Sequence, residues 1–322
     1  MKKKLSFLVV VFGLIIMNPL SVLAGEFPEK EISFLVGFAP GGSTDTTVRL
    51  VATASSKKLG QAVVVVNKPG AGGALALSTL ATSKADGYTI GNFNISAPMG
   101  NVIKNTDPFN VLTDFTPICS LTSFPNIMVV PEASPFKKLA ELVQAAKKKP
   151  GDLSCASSGV GTSQHFGLEL FKSVAKVNIT HVAHKGSTPA VTALLGGHIA
   201  CGNINSVDVI QHIKVGKLRA LCVTSPQRIA ELPEVPSIAE AGYPEAAIVS
   251  WVGCAAPAGT PAPVISKLAE TFREALNQSE VQAKLKEIGF TLNYMAPEAF
   301  KAFVKKEYDR YKKIAETAGI KE

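Results

Sequence analysis

From residue 32 onward, short apolar runs alternate with amphipathic stretches. This alternation restricts the chain to α/β units in which a parallel sheet is covered by helices on both faces. Residues 32–36 read as a buried strand, Gly41-Gly42 as the turn after it, and 44–58 as a helix. A second strand at 63–66 leads into Pro69-Gly70-Ala71-Gly72-Gly73 and a helix to about residue 82, and a third strand covers 88–93. The order restarts after a strand at 127–130, with a helix at 138–149 that stops at Pro150-Gly151. Strands at 153–156, 179–182, 199–203 and 218–224 then alternate with helices at 163–174, 188–195 and 207–215. A strand at 249–255 carries the only tryptophan, Trp251, and the rest is helical at 262–277, 279–288 and 297–318. In the last helix Phe300, Phe303, Val304, Tyr308, Tyr311, Ala315 and Ala318 fall at helical spacing and form one apolar face.

At roughly 150 residues per domain, 322 residues suffice for about two domains. A helical tail packing back onto the first α/β unit makes the chain cross between units twice, with crossings expected at 115–130 and 237–252. The expected division is residues 25–125 plus 248–322 in one lobe and 126–247 in the other, with a cleft between them. With 46% hydrophobic and 18% charged residues, disordered, collagen-like and coiled-coil classes are excluded.

Lys2-Lys3-Lys4, an apolar run over 5–16, Asn18-Pro19 and Val22-Leu23-Ala24 have the anatomy of a cleaved secretory signal ending at about residue 24. The mature protein is therefore expected in the periplasm. The formal net charge is +8, and three of the positive charges lie in that leader. So mild an excess without long basic runs argues against a nucleic-acid partner and suits anionic ligands. The five cysteines include no C-x-x-C pair, and Cys155, Cys201 and Cys222 sit inside apolar strands. They are expected mostly as free, buried thiols, with a Cys155–Cys201 bridge left open should their strands be neighbours.

Two glycine-rich loops follow a strand and open a helix: Phe38-Ala39-Pro40-Gly41-Gly42-Ser43-Thr44-Asp45 and Ser157-Ser158-Gly159-Val160-Gly161-Thr162-Ser163. A first helical turn has unpaired backbone N–H groups at the positive end of the dipole, so both loops can bind an oxyanion. For either loop alone, turning the chain and capping a helix explains the residues as well; one loop in each lobe allows a shared anion to be gripped from two sides. The third glycine-rich turn, 69–73, matches neither a P-loop nor a dinucleotide fingerprint, and is expected to be structural or to line the pocket. Asp45 serves either as a ligand partner or as a first-turn acid. His181 and His184 lack an acid or cysteine at metal-ligand spacing, so no metal is expected. His165 and Lys185 are candidates to face the anion. No G-x-S-x-G elbow supports a hydrolase.

The run from Ile32 to Asp45, with its Phe-x-Pro-Gly-Gly-x-x-Asp, resembles the opening of the Bug-type solute-binding proteins of tripartite tricarboxylate transporters. The resemblance continues through Asn67-Lys68-Pro69-Gly70-Ala71-Gly72-Gly73, Asp86-Gly87-Tyr88-Thr89, Gly159-Val160-Gly161-Thr162, Gly216-Lys217-Leu218-Arg219-Ala220-Leu221 and Ala256-Pro257-Ala258-Gly259-Thr260-Pro261. It implies an α/β, two-lobed type II periplasmic binding protein that closes like a Venus flytrap, each lobe a mostly parallel sheet flanked by helices. It also implies no enzymatic activity, no cofactor, a monomer, and a membrane permease pair as partner. Ligands implied by the family are tricarboxylates, acidic amino acids and aromatic carboxylates.

By position, Phe38, Pro40, Gly42, Ser43, Thr44 and Asp45 would form the first lobe's wall, with Asn94 and Ser96 beside them. Ser157, Gly161, Thr162 and His165 would form the second lobe's wall, completed by His184, Asn205 and Asp208. Two departures bear on the ligand. Ala183-His184 replaces the family's Pro-Tyr, and 199–205 lacks its usual acid, which leaves Asn205 and Ser206 to present amide and hydroxyl groups. A sensory protein docking on a membrane histidine kinase and an extracytoplasmic hydrolase remain the alternative readings.

Overall fold

The computed structural model describes residues 27–104, 108–318 and 320. The proposed export signal, residues 1–24, lies outside the described residues. In chain order the elements begin β1 Ile32–Val36, α1 Ser43–Leu59, β2 Val63–Asn67, α2 Ala74–Ala81, β3 Thr89–Asn94 and α3 Ser96–Lys104. A 17-residue strand, β4 Phe115–Pro131, follows, then α4 Leu139–Lys148, β5 Ser154–Ser157, α5 Ser163–Ala175, β6 Thr180–Ala183 and α6 Ser187–Leu195. The remainder is β7 Cys201–Asn205, α7 Ser206–Lys214, β8 Leu218–Val223, β9 Val249–Pro257, α8 Ala262–Asn277, α9 Ser279–Glu287, β10 Thr291–Leu292 and α10 Pro297–Ala318.

The strands follow the order β2-β1-β3-β9-β4-β7-β5-β6, with β8 and β10 also pairing β4. β4 is shared between two lobes: residues 115–125 pair antiparallel with β9, while 126–131 pair antiparallel with β7 and β8. Between the named strands, parallel pairing is found on the flanks, β2-β1-β3 and β7-β5-β6. The middle is antiparallel because a chain that leaves one lobe along β4 returns beside it along β9 in the opposite direction.

Two elements have no counterpart in the sequence reading. α3 opens Ser-Ala-Pro-Met-Gly, a weak helical start, and it is set by packing against α10. β10 is two residues long and exists only through its pairing with β4. The apolar face expected on α10 is present: Phe300, Val304, Tyr311 and Ala315 are buried, and Phe303 and Tyr308 are half-buried against them. All five cysteines are free and buried. Cys155 and Cys201 do face each other in register on β5 and β7, but they are not bridged.

Candidate functional site

Five helices open on serine at the face where the two lobes meet: α1, α3, α5, α6 and α7. Four of them place that serine (Ser43, Ser96, Ser163 and Ser187) on the wall of a single cavity, and α7 places its N-cap residue, Asn205, there. Serine suits a helix start because it is small and its hydroxyl can serve an unpaired backbone N–H. α1, α6 and α7 have no side-chain cap, so their first-turn N–H groups are not taken up by a cap; α5 is capped by Thr162, whose Oγ1 accepts from His165 N at 3.3 Å. Among the described residues no Lys or Arg lines the cavity, and Phe38, Ile95, Phe124, Trp251 and Val252 supply its apolar surface. The cavity is narrow.

The lobes touch directly. Asn205 Nδ2 donates to Ser43 Oγ at 2.6 Å, and Thr188 Oγ1 donates to Pro40 O at 3.4 Å. Gly72, in the third glycine-rich turn, lies so close to Val160 that an added Cβ would sit 2.0 Å from the Val160 carbonyl oxygen.

Of the residues expected at the site, Phe38, Gly42, Ser43, Thr44, Asn94, Ser96 and Asn205 line this cavity. Asp45 does not: its Oδ2 accepts from Gly41 N and Arg49 Nε at 2.9 Å each, and its Oδ1 from Asn67 Nδ2 at 2.8 Å. Burial alone would raise its pKa, but these partners outweigh burial and hold it below the usual carboxylate range. Ser157, Gly161, Thr162 and His165 stand behind the second loop and hold its shape. Ser157 Oγ lies 2.6 Å from His181 Nε2, Gly161 N donates to His165 Nδ1 at 3.3 Å, and the His165 and His181 rings stack at 4.1 Å. His184 and Lys185 line a separate compartment of the cleft with Phe38, Gly72 and Val160, and His184 Nε2 is buried without a partner. Asp208 sits behind the wall formed by Ser43, Ser187 and Asn205. It is half-buried by surface area, yet enough protein surrounds its carboxyl group to push its pKa up to about 6, against the pull of Ser187, Asn205 and Ser43.

Sequence reasoning missed Ser158, Ser163, Ser187, Ser250 and Trp251 as wall residues. Ser163 and Ser187 were within reach, since each opens a helix foreseen to within a residue. Gln164 was beyond reach: it is fully buried and ties the two second-lobe helix starts together, its Oε1 accepting from Ser158 N at 2.6 Å and its Nε2 donating to Ser187 Oγ at 2.9 Å.

Burial, followed by the neighbouring His165, depresses His181 to about 4, so the native protein holds this ring neutral. A depressed histidine contributes stability that is present above its unfolded pKa of about 6.5 and lost as pH falls toward 4. Thermal melts of the wild type and His181→Asn should therefore differ most above pH 6.5. The wild type's advantage should shrink by a few degrees by pH 4; an advantage that is constant with pH would contradict a neutral native His181.

Residues 47–320 match the family model described as the tripartite tricarboxylate transporter family receptor. The chain is 35% identical over 302 residues to protein BugT of Bordetella pertussis (strain Tohama I), covering 93% of each chain. It superposes with a TM-score of 0.88 on R. palustris Rpa4515 with adipate, at 33% identity over 92% of this chain and 99% of that one. On MatC (Rpa3494) from Rhodopseudomonas palustris with bound malate the TM-score is 0.86, at 30% identity over 89% and 99%.

Proposed function

Because the chain belongs to the tripartite tricarboxylate transporter receptor family, we propose that it captures a small carboxylate between its lobes and delivers it to a tripartite-type membrane permease pair. The capture takes place in the periplasm after signal cleavage, by a monomer without cofactor. Residues 25–125 plus 248–322 act as one lobe and 126–247 as the other.

The observation that carries this reading is the convergence of five helix N-termini on one cavity with no cationic side chain among the described residues that line it. The uncapped starts of α1, α6 and α7 present unpaired N–H groups, and each helix start carries the equivalent of roughly half a positive charge. An anion is thereby neutralised without an Arg or Lys that would be left buried and unpaired in the empty site. The Trp251 indole N–H is buried with no hydrogen-bond partner, so a ligand oxygen can take it. The adipate of Rpa4515 and the malate of MatC are both carboxylates, the chemistry this cavity suits. Catalysis is disfavoured because the serine that pairs with an imidazole among the described residues, Ser157 with His181, is fully buried and so closed to a substrate carbonyl.

The test is a thermal-shift screen over mono-, di- and tricarboxylates and amino acids, followed by calorimetry. A ligand at 100 times its Kd adds about 2.7 kcal/mol to stability. Trp251→Phe keeps an aromatic ring beside Phe300 and Phe303 but removes the N–H together with part of the indole, so it should weaken binding roughly 10- to 100-fold, the range for loss of a hydrogen bond to a charged group. If no carboxylate stabilises the protein, the reading is wrong.

A further inference from the structure

We propose that Cys119 and Cys254 become joined by a disulfide when the chain folds in an oxidising compartment, and that this bond closes the second lobe into one covalent loop. The two residues are direct register partners on the antiparallel pair β4 and β9. Opposed residues on such a pair have Cα atoms about 4.5 or 5.5 Å apart, and a disulfide accepts about 4.4–6.8 Å. The register shifts between Pro117 and Cys119, and this irregularity brings Cys119, in place of Ile118, opposite Cys254. The two Sγ atoms lie 3.7 Å apart. Closing that gap to the roughly 2.05 Å of an S–S bond takes only small rotations about the two Cα–Cβ bonds.

Both residues are 0% exposed, in the apolar core where α1 and α8 cover the first lobe's strands. Cys254 Sγ has a carbonyl, Cys119 O, at 3.7 Å, a long contact for a weak donor. A disulfide carries no proton and so needs no acceptor in that core. The other register pair is arranged differently. Cys155 and Cys201 lie on parallel strands, and their thiols turn to backbone carbonyls, Ala156 O at 3.9 Å and Ser154 O at 3.5 Å.

As the S–S bond forms, the two thiols give up two protons and two electrons. The oxidant is a disulfide of the compartment, which accepts them and leaves as two thiols. Exchange requires a thiolate to reach that disulfide, and neither sulfur is exposed once the lobe is packed. The bond therefore forms during folding, before α1 and α8 close over the strands. It rests on the export reading, because a reducing cytoplasm would keep both thiols. Cys119 precedes the crossing into the second lobe and Cys254 follows the return. The closed loop, 135 positions from end to end, thus contains all of residues 126–247. The bond also clamps the ladder that carries Phe124, Ser250, Trp251 and Val252 of the cavity wall.

The experiment refolds the reduced, denatured mature chain in a glutathione redox buffer and, in parallel, isolates the full chain exported from cells. Each sample is denatured and alkylated with N-ethylmaleimide, with and without prior reduction, then digested for mass spectrometry. Three of the five cysteines should be alkylated without reduction and all five after it, with one cross-linked peptide joining Cys119 to Cys254. Cys119→Ala should show four free thiols under both treatments, whereas Cys155→Ala should still lose two to the bridge. A second readout needs no variant: wild type refolded and melted with a reductant present should unfold about 5–15 °C below the oxidised form. A bridge in the refolded chain but not in the chain recovered from cells would leave the pairing standing and count against export. Five free thiols in the refolded chain, or a Cys155–Cys201 bridge in place of this one, would overturn the proposal.

Discussion

Gly72→Ala is expected to hold the lobes apart and to weaken ligand binding by about a hundredfold or more, beyond a loss of roughly 1–2 kcal/mol in the stability of the ligand-free protein. Gly72 has φ +65°, where an alanine is strained by roughly 1–2 kcal/mol. Its new Cβ would also lie 2.0 Å from the Val160 carbonyl oxygen across the cleft. Backbone on both sides leaves no flexible atom to move aside, so the clash is relieved by separating the lobes. A closure penalty of about 2.8 kcal/mol already corresponds to a hundredfold loss in affinity. Calorimetry reads the affinity, and small-angle scattering reads the failure to close on ligand addition. An alanine variant that binds and closes like the wild type would mean that the Gly72–Val160 contact does not form in the bound state. The sequence reading left the turn at 69–73 between a structural and a pocket-lining role, and this contact gives it a third, as a stop against which the lobes meet.

Phe300→Ala should cost about 3–5 kcal/mol of folding stability, the range for removing a fully buried phenylalanine. Phe300 is 0% exposed and packs edge-on against Trp251 at 5.5 Å and against Phe93 at 6.3 Å. The strand beneath it carries Gly253, where a Cβ would come within 2.4 Å of the Phe300 ring, so α10 is seated directly on β9. Truncation leaves a ring-sized hole that the β9 backbone cannot fill. It also frees Trp251, the residue whose N–H is assigned to the ligand, so binding should weaken alongside stability. Urea unfolding followed by tryptophan fluorescence measures the first effect. A loss below 1 kcal/mol would show that α10 is not seated in the way described.

The two glycine-rich bends were legible as anion-binding candidates because each combines strand, glycine and helix start, and that combination is local. The side chains chosen from them were legible only in part. Ser43 and Thr44 line the cavity while Asp45 turns to Arg49 and Asn67, and Ser163 lines it while Thr162 and His165 serve the loop behind. Neighbours in sequence point to different sides of a first helical turn, and a motif match does not resolve which side faces the cleft.

By itself, the sequence determined the alternation of strands and helices, the apolar face of α10, the two-lobed α/β class and the family, because these follow from periodicity and from motifs spread along the whole chain. Only the tertiary structure decided that β4 runs unbroken through both lobes, that five serine-opened helices meet at one cavity, and that Asn205 at the end of β7 reaches Ser43 of α1 across the cleft. The physical reason is range. Period and turn chemistry act over a few residues, whereas the direction of a buried polar group is set by whichever group packs against it, as with Asn205 and Ser43, 162 positions apart.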